Sequence, residues 1–333
     1  MPISLGGNRK FLLAQSLEDL TAFAGAVVAI GNFDGVHLGH RQLLEATLAE
    51  ARRLGVPALA ITFEPHPRTL LRPENPVFRL TPAPAKQALL EALGFAGMIV
   101  IPFDRTFAER SAQSFVEDIL VARLSVRGVV VGYDFHFGKD RKGTPQFLAD
   151  SSRAYGFEVL LLPPVKDVTG EAYSSFRIRA ALAAGEISAA NAMLGYRWFV
   201  QGEVVHGQKR GRLLGFPTAN IALPSDSRLR HGIYAVEMRR PDFSRHQGVA
   251  SFGRRPTFDN GDPLLEVFLF DFDAPLYGEF VAVSFLAWIR PELAFPSPAA
   301  LSQQMVEDVE AAVALLSLAG PGTSLDQALA RPV

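Results

Sequence analysis

Two histidines, His37 and His40, stand three residues apart in a segment rich in glycine. Residues three apart share a face at the start of a helix, so both imidazoles can donate hydrogen bonds to one cluster of phosphate oxygens. Such donors suit nucleotidyl transfer, which depends mostly on positioning and charge stabilisation. The surrounding residues that could bind a nucleotide are Gly31, Asn32, Phe33, Asp34, Gly35 and Gly39. The alternative interpretation is a pair of histidines that cap a helix or lie on the surface.

This segment leaves a predicted strand, Ala26 to Ile30, and enters a predicted helix, Gly39 to Leu54. In open α/β sheets, ligands bind beyond the carboxyl ends of the strands, where the free N–H groups of a helix N-terminus favour phosphate. Gly35 and Gly39 permit tight turns and a close approach of the backbone to a ligand. The context therefore favours a nucleotide site. A second loop, Thr62 to Pro67, could shape the adenine or acceptor pocket or be a rigid structural loop.

Two later segments are expected at the same edge of the sheet. Gly132 to Gly138, which contains Asp134, follows the fourth predicted strand, and Ser174 to Arg179 opens a helix. Arg177 and Arg179 diverge by about 200° on a helix, so one is expected to reach the phosphates while the other packs or pairs. The alternative is a capping serine with arginines on a solvated helix face.

The second half contains a loop motif suited to polyphosphate. Its glycines, Gly211 and Gly215, together with Arg212, can wrap phosphates with backbone N–H groups and positive charge. Thr218 and Asn220 offer hard oxygen ligands for magnesium, an ion that otherwise keeps waters and phosphate oxygens. A Walker A sequence is absent, so this is not a P-loop of that type. By composition alone, ordinary turn chemistry between barrel strands is an equal alternative.

A carboxylate, Glu266, interrupts a run of apolar residues near the start of a predicted strand. An unpaired buried charge is costly, so this side chain must be solvated in a cleft or paired. The two candidate environments for this side chain are therefore a solvated cleft and a salt bridge at a barrel rim.

The spacing of apolar runs in the first half predicts a doubly wound α/β domain. Short apolar strands alternate there with longer helical patterns, as in parallel sheets with crossover helices. The predicted strands are Ala26 to Ile30, Ala58 to Thr62, Met98 to Ile101, Val129 to Val131 and Val159 to Leu162. The predicted helices are Gly39 to Leu54, Thr81 (as N-cap) to Leu93, Ser111 to Leu124, one before Tyr155, Phe176 to Ala184, and Ile187 to Leu194.

From Trp198 onward, short strands follow one another without helices, which predicts a small antiparallel barrel or sandwich. The predicted strands are Phe199 to Val205, Gly232 to Met238, Gly248 to Phe252, Leu264 to Phe270 and Phe280 to Ile289. A helix from Ser297 to Leu316 should pack on this barrel, and the stretch Ala319 to Val333 is predicted to be loosely ordered. We place the domains at residues 1–186 and 187–333.

Composition narrows the classes of function. The 333 residues carry a formal net charge of −1, which argues against a nucleic-acid or anionic-membrane partner. The absence of cysteine excludes disulfides, thiolate catalysis and Cys-ligated metal centres. No stretch has the length of an apolar membrane span and the N-terminus lacks a signal-peptide pattern, so we expect a cytoplasmic protein with small-molecule substrates.

The motifs together resemble a known family. Asn32 to His40, Gly132 to Gly138 and Ser174 to Arg179 are similar, in that order, to the motifs of the FMN adenylyltransferase module of prokaryotic bifunctional riboflavin kinase/FAD synthetases. Gly215 to Asn220 resembles the G-F-P-T-A-N motif of their riboflavin kinase module. The resemblance implies ATP, magnesium, riboflavin and FMN as ligands, with FAD as product.

The resemblance also assigns roles. Glu266 matches the general base that takes the proton of the riboflavin 5′-hydroxyl, and Arg290 lies in a stretch similar to R-x-E-x-x-F that contacts flavin or nucleotide. A surface ion pair is the alternative for Arg290. His37, His40 and Arg177 would stabilise charge during adenylyl transfer.

Four positions depart from the family pattern. Phe176 replaces a Thr, Ser251 replaces an Asn, Phe268 replaces a His, and Pro275 replaces an Asp. Two alternatives to a two-site enzyme therefore stay open, a chain with only one activity and a non-catalytic flavin or nucleotide carrier. The H-x-G-H motif also occurs in class I aminoacyl-tRNA synthetases, but this chain lacks a K-M-S-K-S-like loop and a basic anticodon-binding composition.

Overall fold

The computed structural model describes residues 10–18, 20–206, 216–254 and 263–331. Contacts between Cα atoms divide the chain into two units. The first unit ends at Ser174, and the second begins at Ser175 and also includes Phe78–Leu80. The domain boundary between residues 186 and 187 stays a prediction, and the two helices that precede and follow it both belong to the second unit.

The first unit is built on a six-stranded parallel sheet, as the alternating pattern predicts. Its strands are β1 (Leu12–Ala14), β2 (Val27–Ile30), β3 (Ala58–Glu64), β4 (Gly97–Pro102), β5 (Gly128–Gly132) and β6 (Glu158–Leu162). The central strand β2 is buried at every position, which explains its unbroken apolar sequence. The edge strand β1 was not predicted, because three partly exposed residues carry no periodic signal.

Helices cover the faces of this sheet. They are α1 (Leu38–Leu54), α2 (Pro67–Leu71), α3 (Ala83–Ala92), α4 (Arg105–Ala108), α5 (Ala112–Ser114) and α6 (Pro145–Tyr155). The helix predicted over 111–124 is α5 followed by a π-helical stretch, Phe115–Arg123. Single turns of 3₁₀ helix occur at Thr21–Phe23 and Lys139–Arg141. The main core packs the π-helical stretch and its neighbours against one face of the sheet.

The strand order β1-β4-β3-β2-β5-β6 locates the binding edge. From β2 the chain moves outward to β3 and β4 on one side, and it later returns to place β5 on the other side of β2. This reversal between β2 and β5 is a topological switch point, where the crevice beyond the carboxyl ends of the strands accepts ligands. The segment that contains His37 and His40 begins at this position.

The second unit contains a closed six-stranded antiparallel barrel and four helices. Its helices are α7 (Ser175–Ala184), α8 (Ile187–Leu194), α9 (Pro298–Leu318) and α10 (Ser324–Leu329). Its strands are β7 (Phe199–Val205), β8 (Thr218–Ala222), β9 (Gly232–Arg239), β10 (Arg245–Arg254), β11 (Pro263–Leu269) and β12 (Phe280–Arg290), in the order β10-β11-β8-β7-β12-β9. The five predicted barrel strands are confirmed, and β8 is an addition within the segment interpreted as a loop motif.

The C-terminal tail corrects another expectation. The stretch predicted to be loosely ordered contains α10, whose first turn is closed by a capping box between Thr323 and Asp326. Asp326 also accepts a hydrogen bond from the backbone N–H of Arg197 at 2.9 Å. The Arg197 guanidinium donates to the carbonyls of Ala319 and Gly320. These bonds fix a segment whose Pro and Gly content suggested disorder.

Among the helices that the structure describes, none combines the length and the hydropathy needed to cross a bilayer.

Candidate active sites

His37 and His40 meet at the start of α1. The Nδ1 atom of His37 accepts a hydrogen bond from the backbone N–H of His40 at 3.2 Å, so His37 is the N-cap of the helix. The two rings stack with their centroids 3.6 Å apart. Because Nδ1 of His37 is the acceptor, the neutral ring carries its proton on Nε2, the nitrogen able to donate to phosphate. His37 therefore does cap the helix, which is the structural alternative stated above. The same arrangement places both histidine rings at the predicted binding edge.

The loop before α1 is tightly constrained. Phe33 and Val36, both fully buried, adopt positive φ angles of 46° and 41°, and Gly35 has a φ of 92°. Non-glycine residues in this region cost free energy and persist only where the surroundings impose them. A Cβ at Gly39 would lie 3.1 Å from the His37 ring, so a larger residue would displace that ring. The loop is thus held in one shape.

Asp34 and Thr81 hold this loop from inside. The buried Asp34 carboxylate accepts from the Thr81 backbone N–H at 3.0 Å, and the Gly35 N–H donates to Thr81 Oγ1 at 2.8 Å. The prediction that Thr81 is the N-cap of α3 is therefore wrong. Its hydroxyl is engaged by the loop, and Pro82 occupies the cap position. The nucleotide-binding role of Asp34 stays a prediction beside this structural one.

Several polar atoms around the histidines are buried without a hydrogen-bond partner among the described residues: Asn32 Oδ1, His40 Nδ1 and Arg41 Nε. Buried polar groups in native proteins are nearly always paired, so such a cluster indicates groups that a ligand satisfies. Burial, the neighbouring His37 and the Lys86 ammonium together hold the pKa of His40 well below its ordinary value. His40 is therefore neutral at pH 7 and donates through one nitrogen.

Lys86 is a residue of this site that sequence reasoning missed. Its side chain on α3 is fully buried, and Nζ donates to the Asn32 carbonyl and to Thr62 Oγ1, each at 2.7 Å. The Glu64 carboxylate lies 3.8 Å from Nζ. The available signal was a lysine on the same helix face as Leu89, a position where apolar residues form the core.

The second predicted segment lies beside the first. β5 pairs with β2 in parallel, so the turn that begins at Gly132 emerges next to the loop that follows β2. Asp134 in this turn is exposed, and its carbonyl lies 2.8 Å from Nδ1 of His136. In the Thr62 to Pro67 loop, His66 caps α2 by accepting from the Arg68 N–H, which is the structural role weighed for that loop.

The third predicted segment spans the division between the units. Ser174 is the last residue of the first unit, whereas Arg177 and Arg179 lie on α7 in the second. Arg179 Nε donates to the carbonyl of Phe78 at 2.6 Å within the second unit. Phe176 is exposed to 75%. The phosphate-binding roles of both arginines stay predictions.

The second unit contains a cavity of about 390 Å³. Side chains of β8 to β12 line it, with the loop after β12 and one face of α9. Along β11, burial alternates so that Leu265 and Val267 fill the barrel interior, while Glu266 and Phe268 face the cavity. A volume of this size suits a small organic ligand. Glu266 therefore lies in a cleft, the environment expected of a catalytic carboxylate.

The predicted metal ligands lie on the strand beside Glu266. β8 pairs with β11 so that Asn220 is opposite Glu266 and Thr218 is opposite Phe268. Asn220 is buried, and its Oδ1 has no hydrogen-bond partner among the described residues. A bare amide oxygen across from a carboxylate is the donor set that a hard cation prefers, so these residues fit magnesium. In the described part of the chain, no group of three or more His, Asp or Glu side chains could hold a metal by itself.

Arg290 also lines the cavity, but its guanidinium has a protein partner. It forms a bidentate ion pair with Asp308 of α9, with Nε and one terminal nitrogen each 2.6 Å from a carboxylate oxygen. An ion pair, the alternative weighed for Arg290, is therefore present, but it is largely buried and not on the surface. Contact between Arg290 and substrate stays a prediction. Nearby, burial raises the pKa of Glu292, which lies 3.9 Å from His231.

The predicted phosphate-binding residues Gly211, Arg212 and Gly215 lie outside the described residues. Two of the departures from the family pattern, Ser251 and Phe268, line the cavity. Phe268 makes an edge contact with Phe216 at 5.1 Å, and Ser251 lies opposite Glu266. Pro275 is not among the lining residues. The first unit has a histidine-capped helix at the switch point of a parallel sheet, and the second has a carboxylate in a cleft of a barrel. These features are typical of a transferase with two sites.

Comparison with known proteins agrees with this description. A family model described as FAD synthetase matches residues 20–177, and one described as riboflavin kinase matches residues 194–316. A bifunctional riboflavin kinase/FMN adenylyltransferase from Haemophilus influenzae is 40% identical over 298 residues, which cover 88% of this chain and 95% of the relative. The Escherichia coli protein of the same name is 38% identical and covers 85% of this chain and 90% of the relative.

A solved structure described as a macrolide-efflux protein from Streptococcus pneumoniae superposes with a TM-score of 0.78. It is 31% identical and covers 90% of this chain and 97% of the solved chain. With both family models and near-complete relatives in agreement, the chain belongs to the bifunctional riboflavin kinase/FMN adenylyltransferase family.

Proposed function

We propose that this chain makes FAD from riboflavin in two steps, each of which consumes one ATP. The barrel unit transfers the γ-phosphate of ATP to riboflavin to give FMN. The α/β unit then joins FMN to the adenylyl group of a second ATP and releases pyrophosphate. The observation that supports the proposal best is the placement of Glu266 in a cavity, directly across from Asn220, whose Oδ1 has no hydrogen-bond partner among the described residues.

In the kinase step, Glu266 is the general base. Its carboxylate accepts the proton of the riboflavin 5′-hydroxyl while that oxygen bonds to the γ-phosphorus and the bond to ADP breaks. Thr218 and Asn220 would hold magnesium, which neutralises phosphate charge when bound. The apolar wall formed by Phe268 and Phe216 suits the flavin ring system, so we propose that the departure at Phe268 preserves riboflavin binding.

In the adenylyl transfer step, the nucleophile needs no base. The FMN phosphate is already ionised, and its oxygen attacks the α-phosphorus of ATP as pyrophosphate leaves. His37 and the neutral His40 donate hydrogen bonds to the phosphate oxygens on which charge develops. Arg177 adds positive charge, and Ser174, Arg179 and Asp134 complete the proposed nucleotide contacts. Neutral histidines can act as electrophiles in this way because a preorganised N–H donor suffices.

Magnesium, a cytoplasmic location and the absence of nucleic-acid or membrane partners belong to the same proposal. The near-zero net charge supports the last of these.

A chromatographic time course tests the proposal. Purified protein is incubated with ATP and magnesium, starting from riboflavin in one reaction and from FMN in another. We expect FMN to appear before FAD in the first reaction and FAD alone in the second. Accumulation of FMN without FAD would support a chain with kinase activity only, and conversion of FMN alone would support a chain with adenylyltransferase activity only. If neither product forms, the proposed function is wrong and the carrier alternative survives.

A further inference from the structure

A buried lysine lies behind the loop of the first site. Lys86 is on α3, and its side chain is entirely shielded from solvent. Its ammonium donates to Thr62 Oγ1 and to the carbonyl of Asn32, and the Thr62 hydroxyl donates to that same carbonyl at 3.2 Å. The three groups form a closed triangle of hydrogen bonds whose common acceptor is the backbone of Asn32.

Stability alone does not explain this lysine. A desolvated ammonium is costly, and apolar residues of similar volume in such positions are often neutral or stabilising. The Glu64 carboxylate lies 3.8 Å from the Lys86 ammonium. Leu89 and Leu90 on the same helix show that this helix face can pack with aliphatic side chains.

Lys86 contacts the loop that carries the candidate residues for adenylyl transfer. Asn32 lies in the constrained loop between β2 and α1, five residues before His37, and its own Oδ1 is buried without a partner among the described residues. The charged groups acting on His40 are His37 from the same helix and Lys86 from α3. A cation at Lys86 disfavours a second positive charge on His40.

We propose that Lys86 is a positioning residue for adenylyl transfer, because its buried ammonium fixes the Asn32 backbone and thereby the loop that presents Asn32 and the two histidines to the nucleotide. The inference rests on the proposed function of the first unit. Lys86 touches no reacting atom; it acts through Asn32 and through its charge on His40.

The test compares full-length variants in the step from FMN to FAD, with the riboflavin to FMN step as an internal reference. Lys86→Met removes the charge and keeps much of the volume. We expect kcat/KM for ATP in FAD formation to fall about 10- to 100-fold, the cost typical of a misplaced catalytic constellation. FMN formation should stay within about twofold of the wild type, since Lys86 is not in the kinase unit. The acid limb of the pH profile should move to higher pH, because His40 takes a proton more readily without the neighbouring cation.

A matched control separates positioning from packing. Leu89→Ala removes a fully buried apolar side chain from the same helix, three residues from Lys86. Chemical rescue is also available because the chain has no cysteine. In Lys86→Cys, unfolded in urea, the thiolate displaces bromide from 2-bromoethylamine and forms a thioether that carries an ammonium at about the length of lysine. The wild type passes through the same treatment and refolding.

Recovery of most FAD formation by the alkylated variant, relative to the treated wild type, would support the proposal. Wild-type FAD formation in Lys86→Met would overturn it, as would a loss equal to that of Leu89→Ala with an unchanged pH profile. Absence of rescue in a refolded, kinase-active chain would also count against it. A wild type that makes no FAD from FMN would overturn the proposed function and this inference together.

Discussion

The buried ion pair between Arg290 and Asp308 provides the sharpest quantitative prediction. The two side chains are 16% and 6% exposed, and two hydrogen bonds of 2.6 Å join them. Asp308→Leu leaves the guanidinium buried without its carboxylate. Removing one partner of such a pair costs about 3–5 kcal/mol of unfolding free energy, whereas replacing both with apolar residues is often neutral or stabilising. We therefore expect Asp308→Leu to destabilise the barrel unit by about 3–5 kcal/mol, and Arg290→Met combined with Asp308→Leu to recover most of that loss.

Urea denaturation followed by tryptophan fluorescence measures this directly. The chain has two tryptophans, Trp198 and Trp288, and both belong to the second unit, so the signal reports on the barrel. Glu307→Leu is the matched control, because it makes the same kind of substitution at an exposed position of the same helix. It should change stability by no more than about 0.5 kcal/mol. A cost below about 1 kcal/mol for Asp308→Leu, the range of exposed ion pairs, would refute the reasoning, as would a double variant as unstable as the single one.

Two further predictions concern the first unit. Its stability should fall as pH drops below about 6.5, with a slope of up to about 1.4 kcal/mol per pH unit, because unfolded His40 binds a proton at its ordinary pKa while folded His40, whose pKa is lowered, does not. Denaturation curves followed by circular dichroism, since both tryptophans lie in the second unit, measure this at pH 7 and pH 5.5 for the wild type and His40→Gln. An equal pH dependence in both would contradict it. Thr81→Val should cost about 1–3 kcal/mol by removing the acceptor of the Gly35 N–H, and should raise KM for ATP in FAD formation. Unchanged values of both would show that Thr81 does not hold the loop.

Much of the architecture follows from local pattern. Buried parallel strands are uniformly apolar, so β2 to β5 stand out, and a glycine-rich turn between such a strand and a helix predicts where phosphate binds. The alternation along β11 likewise sends Glu266 and Phe268 to one face and Leu265 and Val267 to the other. These features depend on residues close in sequence.

The features that were missed depend on distant residues. Lys86 contacts Asn32 across 54 positions and Thr81 contacts Gly35 across 46, and neither contact has a sequence period. A lysine on a helix is normally solvated, and a threonine before a helix normally caps it. The local sequence pattern therefore indicates these common roles for Lys86 and Thr81 and not the ones observed. The bidentate partner of Arg290 is Asp308 of α9, 18 residues away. The spacing of apolar residues there predicts a helix but does not indicate which polar residue pairs with Arg290.

The proposed function requires two chemically separate sites in one chain, each with its own residues. Glu266→Gln, assayed separately from riboflavin and from FMN, tests this most directly, because the amide keeps the shape of the side chain but cannot accept the hydroxyl proton. We expect FMN formation to fall by about 100-fold or more, while FAD formation from added FMN stays within about twofold of the wild type, as expected for energetically independent sites. Undiminished FMN formation, or an equal loss of both activities, would contradict it.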